Sequence, residues 1–114
     1  MTMHYLLTLY DNDIQGIVEA LKKIKYQLEE LPLQFEALLN DADHQSIGVI
    51  CHKTSNSAAM IGAKSLRDAL MRVEKGLSEK RYSAEDLVVE MGKISELVQS
   101  AADSVNLQLR IYGQ

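Results

Sequence analysis

The strongest constraint on this chain lies toward its C-terminal end. Leu87, Met91, Ile94, Val98, Ala101 and Val105 recur there at spacings of four, three, four, three and four. That alternation keeps one apolar stripe on a single helix face and is the pattern of a helix packed in a bundle. About 26 residues rising about 1.5 Å each give a rod of about 39 Å. Such a rod buries its stripe only against partners of similar length.

The remaining sequence supplies them. Residues 4–10 read as a short opening helix. Asn12 followed by Gln15 resembles a capping box and starts a long helix. Its stripe runs through Ile14, Val18, Leu21, Ile24, Leu28, Leu31, Phe35 and Leu38. Pro32 falls inside it and is expected to kink the helix or divide it. Asn40 to Asp43 form a connection, with Asp41 or Asp43 as the next N-cap. A second helix spans about residues 43–61 with Ile47, Ile50, Thr54 and Ile61 inward, and Gly62 stops it. A third spans about residues 63–75 with Leu66, Leu70, Val73 and Leu77 on one side and Gly76 beyond its end. Residues 77–82 read as a charged loop, and Ser83 with Asp86 caps the last helix. With one Pro, six Gly and 5% aromatic residues in 114, the composition also disfavours strands. The expected fold is all-α: an antiparallel four-helix bundle with a short extra N-terminal helix, one monomeric domain over residues 1–114.

Charge and cysteine content narrow the function. The net charge is −4, with no basic stripe, so nucleic acid is not an expected partner. The single cysteine, Cys51, excludes an internal disulfide and agrees with a reducing, cytoplasmic compartment. No apolar run approaches the roughly 18 residues of a membrane span. The opening segment lacks the basic start of a secretory signal. These features fit either a free cytoplasmic domain or the cytoplasmic tail of a larger membrane sensor. No glycine-rich phosphate loop is present. His4, His44 and His52 have no regular metal-ligand spacing. The acidic pairs Glu29-Glu30 and Glu85-Asp86 read as solvated or first-turn charges. Cys51 sits on the flank of the core stripe and reads as a small buried hydrophobe.

His52 stands out. At about 100° per residue, Ile50, Thr54 and Ile61 lie about 160–180° from it, so it points to solvent. Gln45, Gly48, Ser55, Asn56 and Ala59 fall within about 60° of it on the same face. None is charged, and three are small, whereas an exposed helix face usually carries Lys, Glu or Arg. Gly48 in mid-helix costs about 1 kcal/mol relative to Ala and asks for a reason. A lone imidazole on a low platform is open to close approach by a second protein.

The run Cys51-His52-Lys53-Thr54-Ser55-Asn56-Ser57-Ala58-Ala59-Met60-Ile61-Gly62-Ala63, followed by Leu66, resembles the histidine-containing phosphotransfer family. That family shows a His, a Lys three residues on, often a Gly at four, small residues at five to seven, and Gly-Ala at ten and eleven. Residues 31–39 and 66–74 are similar to its flanking helices, so the resemblance spans most of the chain. It departs from the pattern at Ser55, where the family has Lys, and at Asn56, where it has Gly. The resemblance implies that His52 accepts a phosphoryl group from a receiver-domain aspartate and passes it to another receiver. It implies partners among response-regulator receivers and hybrid sensor kinases. It implies Mg²⁺ on the receiver and no cofactor in this domain, which is a carrier and not an enzyme by itself. Lys53 and Ser55 become the candidate phosphoryl neighbours, and Gln45, Gly48, Ser55, Asn56 and Ala59 the docking platform. Two alternatives stand beside this: a non-phosphorylated helical adaptor binding a partner through the same surface, and an inert structural bundle.

Overall fold

The computed structural model describes residues 4–11 and 13–113. It contains five helices: α1 (His4–Leu9), α2 (Ile14–Asn40), α3 (His44–Met60), α4 (Lys64–Ser78) and α5 (Ala84–Tyr112). No strand occurs among the described residues. The fold is therefore an all-α bundle of four long helices with a short helix ahead of them. Its longest dimension, 44 Å, matches the about 43 Å expected of a 29-residue helix.

The two longest helices form the spine. α5 buries Leu87, Ile94, Val98, Ala101 and Val105, while Met91 is half-buried. In α2 the buried stripe is Ile17, Leu21, Ile24, Leu28, Leu31 and Phe35, the same four-three alternation. This corrects the expected start of that stripe, since Ile14 is 41% exposed and Val18 is only half-buried. Leu38 is half-buried as well. Ile17 takes the inward register, and fully buried Leu6 of α1 joins the same core. α2 continues through Pro32 without division, contrary to one of the two expected outcomes. A proline ring removes one backbone donor, but buried Leu28, Leu31 and Phe35 hold the segment on either side.

Capping chemistry bounds α3 and the start of α5 as expected, and departs from expectation at the start of α2 and the end of α4. The N-cap of α2 is Asp13, whose side chain makes no cap bond; the anticipated cap residue, Asn12, lies outside the described residues. Asp43 caps α3, accepting from the Ser46 backbone N–H at 3.1 Å and the Ser46 hydroxyl at 2.7 Å. Ser83 and Asp86 form a complete capping box at α5, with bonds of 3.0 and 3.1 Å. α4 runs to Ser78, three residues further than expected, so Gly76 lies inside the helix. The loop after it is correspondingly shorter. Gly76 is buried beneath Tyr82, and a Cβ there would sit 2.0 Å from the ring. The glycine is needed for that close approach, which folds the loop back onto the helix.

The caps predict an acid response. The hydrogen bonds from the Ser46 side chain and backbone hold the Asp43 carboxyl below its ordinary value. The Ser83 backbone N–H, then its side chain, do the same for Asp86. A carboxyl depressed on folding contributes stability that is present above its unfolded value of about 3.9 and lost as pH falls through the folded value. The melting temperature is therefore expected to drop as pH is lowered from about 5 toward 2. Asn also caps helices, so Asp43→Asn with Asp86→Asn should flatten that drop without abolishing the fold. An unchanged acid limb in the double variant would remove the caps as its cause.

Candidate functional site

The site follows from how α3 is held. This helix packs most extensively against α4 and also against α2, so a wide arc of its surface is covered. Ile47, Cys51, Thr54, Ser55 and Ala58 are all buried. The centre of that arc lies about 120° from His52, not about 180°. Ile50 is only half-buried, and Cys51 is at the centre of the covered face. Gln45, Asn56 and Ala59 are exposed as expected, and Gly48 is half-exposed.

Ser55 is the correction. It is 5% exposed, and its hydroxyl donates to the His52 carbonyl at 2.7 Å. It stands about 60° from His52, on the α4 side of the shifted arc. With its hydroxyl bonded to its own helix, Ser55 is not part of the exposed platform.

The His52 ring remains outside the arc, with its side chain 62% exposed. Its Nδ1 lies 2.8 Å from Oε2 of Glu74 on α4. An ionised carboxylate only accepts hydrogen bonds, so Nδ1 carries the hydrogen. In the neutral ring the lone pair then belongs to Nε2, which no side chain among the described residues engages. The pair also fixes the ring orientation, because the carboxylate comes from a different helix. Glu74 was not identified from the sequence, although a signal exists. It lies four residues after Leu70 and three before Leu77, a carboxylate on the edge of the apolar row.

Beside the imidazole lies a groove of about 880 Å³. From α3 it is lined by His44, Gln45, Gly48, Val49, His52 and Lys53. From α4 and the following loop come Glu74, Leu77, Ser78, Lys80 and Tyr82. Val49 is 49% exposed and gives the wall an apolar patch. A Cβ on Gly48 would meet nothing within 4 Å. The mid-helix glycine is therefore not required by packing, and what it provides is open space in the groove. Lys53, the candidate cation on α3, is exposed and lines the same groove.

Among the described residues, no three His, Cys, Asp or Glu side chains converge to hold a metal ion. His44 lines the groove, whereas the His4 side chain lies outside the described residues. Burial, and secondarily the charge of Glu74, push the Cys51 thiol up to about 12. The thiolate, the reactive form, is then scarce at neutral pH. Cys51→Ala is expected to cost about 1 kcal/mol through a small cavity and to leave the His52 face unchanged. The folded protein should resist thiol reagents that modify it once denatured. Rapid alkylation of the native chain would contradict this placement.

No helix among the described residues is long and apolar enough to cross a membrane. No protein-family model, curated protein or solved structure matches the chain.

Proposed function

We propose that this domain is a phosphorelay carrier of two-component signalling, with His52 as the phosphoacceptor. The observation that carries the reading is the His52–Glu74 pair at 2.8 Å beside a groove kept open by Gly48. A nucleophilic nitrogen must be exposed and held in one direction: the His52 side chain is 62% exposed, and Glu74, by engaging Nδ1, orients the ring and leaves Nε2 as the free nitrogen. In the proposed step the Nε2 lone pair attacks the phosphorus of a receiver's aspartyl phosphate. The P–Nε2 bond forms, the acyl P–O bond breaks, and the aspartate leaves as carboxylate. Glu74 holds the Nδ1 hydrogen and offsets the positive charge the ring acquires. Phosphoryl transfer asks little covalent work of the surrounding protein and depends on alignment and charge. The receiver supplies Mg²⁺ and this domain supplies the nitrogen and the surface. The absence of a nucleotide motif fits a carrier that does not make its own donor. The proposed setting is the cytoplasm, with a hybrid sensor kinase or response-regulator receiver as partner.

The buried Ser55 at the family's lysine position favours a second reading, an adaptor that binds a receiver without being phosphorylated. One experiment separates them. Incubation with a phosphorylated receiver should leave acid-labile, alkali-stable label on His52; binding without label selects the adaptor. Within the carrier reading, Glu74→Ala should slow labelling about 10- to 100-fold, the usual effect of removing a group that orients a functional histidine. Glu74→Gln, whose amide oxygen still accepts from Nδ1, should fall between the two. Equal rates in all three proteins would remove Glu74 from the mechanism.

A further inference from the structure

Two residues at the groove are ones the backbone would not select. Gly48 stands in mid-helix with empty space where its side chain would be. Lys80 is the reverse case. The Lys80 N–H bonds the Leu77 carbonyl at 3.1 Å and the Arg81 N–H bonds the Gly76 carbonyl at 2.8 Å. That pairing closes the C-terminus of α4 and puts Lys80 at φ 55°, a left-handed position that favours glycine. The chain does use glycine at the equivalent position after α3, Gly62, with φ 70°. Ala42, at φ 54° after α2, shows that the fold tolerates another residue there. What sets Lys80 apart is its charge and its place.

Lys80 faces the groove that His52 borders. Lys25, Lys64, Lys75 and Lys93 each have a carboxylate partner; among the described residues none is found for Lys22, Lys23, Lys53 or Lys80, and of these four only Lys53 and Lys80 line the groove. The groove thus gathers two unpaired ammonium groups against one carboxylate, Glu74, in a chain of net charge −4. Lys53 is adjacent to His52 on one helix and projects about 100° round it. Lys80 approaches from the other wall, and its segment is held down by Tyr82 over Gly76.

We propose that Lys80 is the positioning cation of the His52 site, its ammonium holding the phosphoryl oxygens borne on Nε2 across the space left by Gly48. This rests on the carrier reading above. It makes the loop after α4 part of the site and assigns to a second structural element the charge that Ser55 cannot supply.

The test uses phosphoramidate, a small donor that needs no docking surface. Nε2 attacks its phosphorus, the P–N bond breaks, and ammonia leaves. Labelling of His52 is compared in the wild type, Lys80→Gly, Lys80→Arg and Lys53→Gln at low and high salt. Lys80→Gly should melt no lower than the wild type, because glycine suits φ 55°. Its labelling rate should fall about two- to fivefold at low salt, the scale of an exposed ion pair. The deficit should shrink at about 1 M salt, where charges are screened within about 3 Å. Lys80→Arg should restore most of the rate, and Lys53→Gln should lose less than Lys80→Gly. Equal rates for wild type and Lys80→Gly overturn the role of Lys80 while leaving the carrier intact. A deficit that ignores salt and is not rescued by arginine overturns it too, by marking a structural effect. A wild type that takes no label on His52 overturns both this proposal and the carrier reading.

Discussion

His52→Gln is expected to abolish labelling from a phosphorylated receiver and from phosphoramidate alike, while leaving the fold in place. The ring is 62% exposed and outside the buried arc of α3, so its loss should change stability by no more than about 0.5 kcal/mol. Glutamine keeps a donor that can reach Glu74, so the carboxylate is not stranded. What disappears is the nitrogen lone pair, for which a carboxamide offers no substitute. Circular dichroism and the melting temperature report the fold, and acid-labile label reports the chemistry. Label persisting in this variant, at His44 or His4, would show that the phosphoacceptor has been misassigned.

Gly48→Gln is expected to move stability and function in opposite directions. A Cβ at position 48 meets nothing within 4 Å, and glycine in a helix interior is less favourable than an ordinary residue by about 0.5–1 kcal/mol. The variant should therefore be more stable by about that amount. Its side chain would occupy the groove one turn from His52, where a partner must approach. In-line phosphoryl transfer tolerates little misplacement, and about 1 Å can cost about a hundredfold. Transfer from a receiver should fall by about that factor, while labelling by phosphoramidate should fall much less. Ala59→Arg, on the exposed face beyond His52, tests the other end of the platform in the same way. Undiminished receiver transfer in both variants would mean that the partner docks elsewhere.

The spine was legible because its signal is redundant. Six apolar positions of α5 share one stripe, so losing one, as with half-buried Met91, leaves the register intact. At the start of α2 the periodicity allowed two registers, and Ile17 prevailed over Ile14 through tertiary contacts that no local pattern carries. His52 was legible because a charge-free exposed face is unusual. Ser55 was misplaced because a helical wheel assumes one covered side, whereas α3 is covered by two neighbours and its buried arc is wider and rotated. Glu74 and Lys80 were missed for a related reason. They come from the opposite wall, and their spacing from His52 in sequence says nothing until α3 and α4 are packed together.

The long helices α2 and α5 carry the two alternating stripes, while His52, Glu74 and the groove belong to α3, α4 and the loop after them. This division bears on how such a molecule diversifies. Gln45, Val49, Asn56 and Ala59 are exposed, so on the carrier reading changes there would alter partner choice at little cost in stability. Drift in the spine has no such latitude. Amide protons of α2 and α5 should be the slowest to exchange, and the frame they form should persist while exposed positions of α3 change.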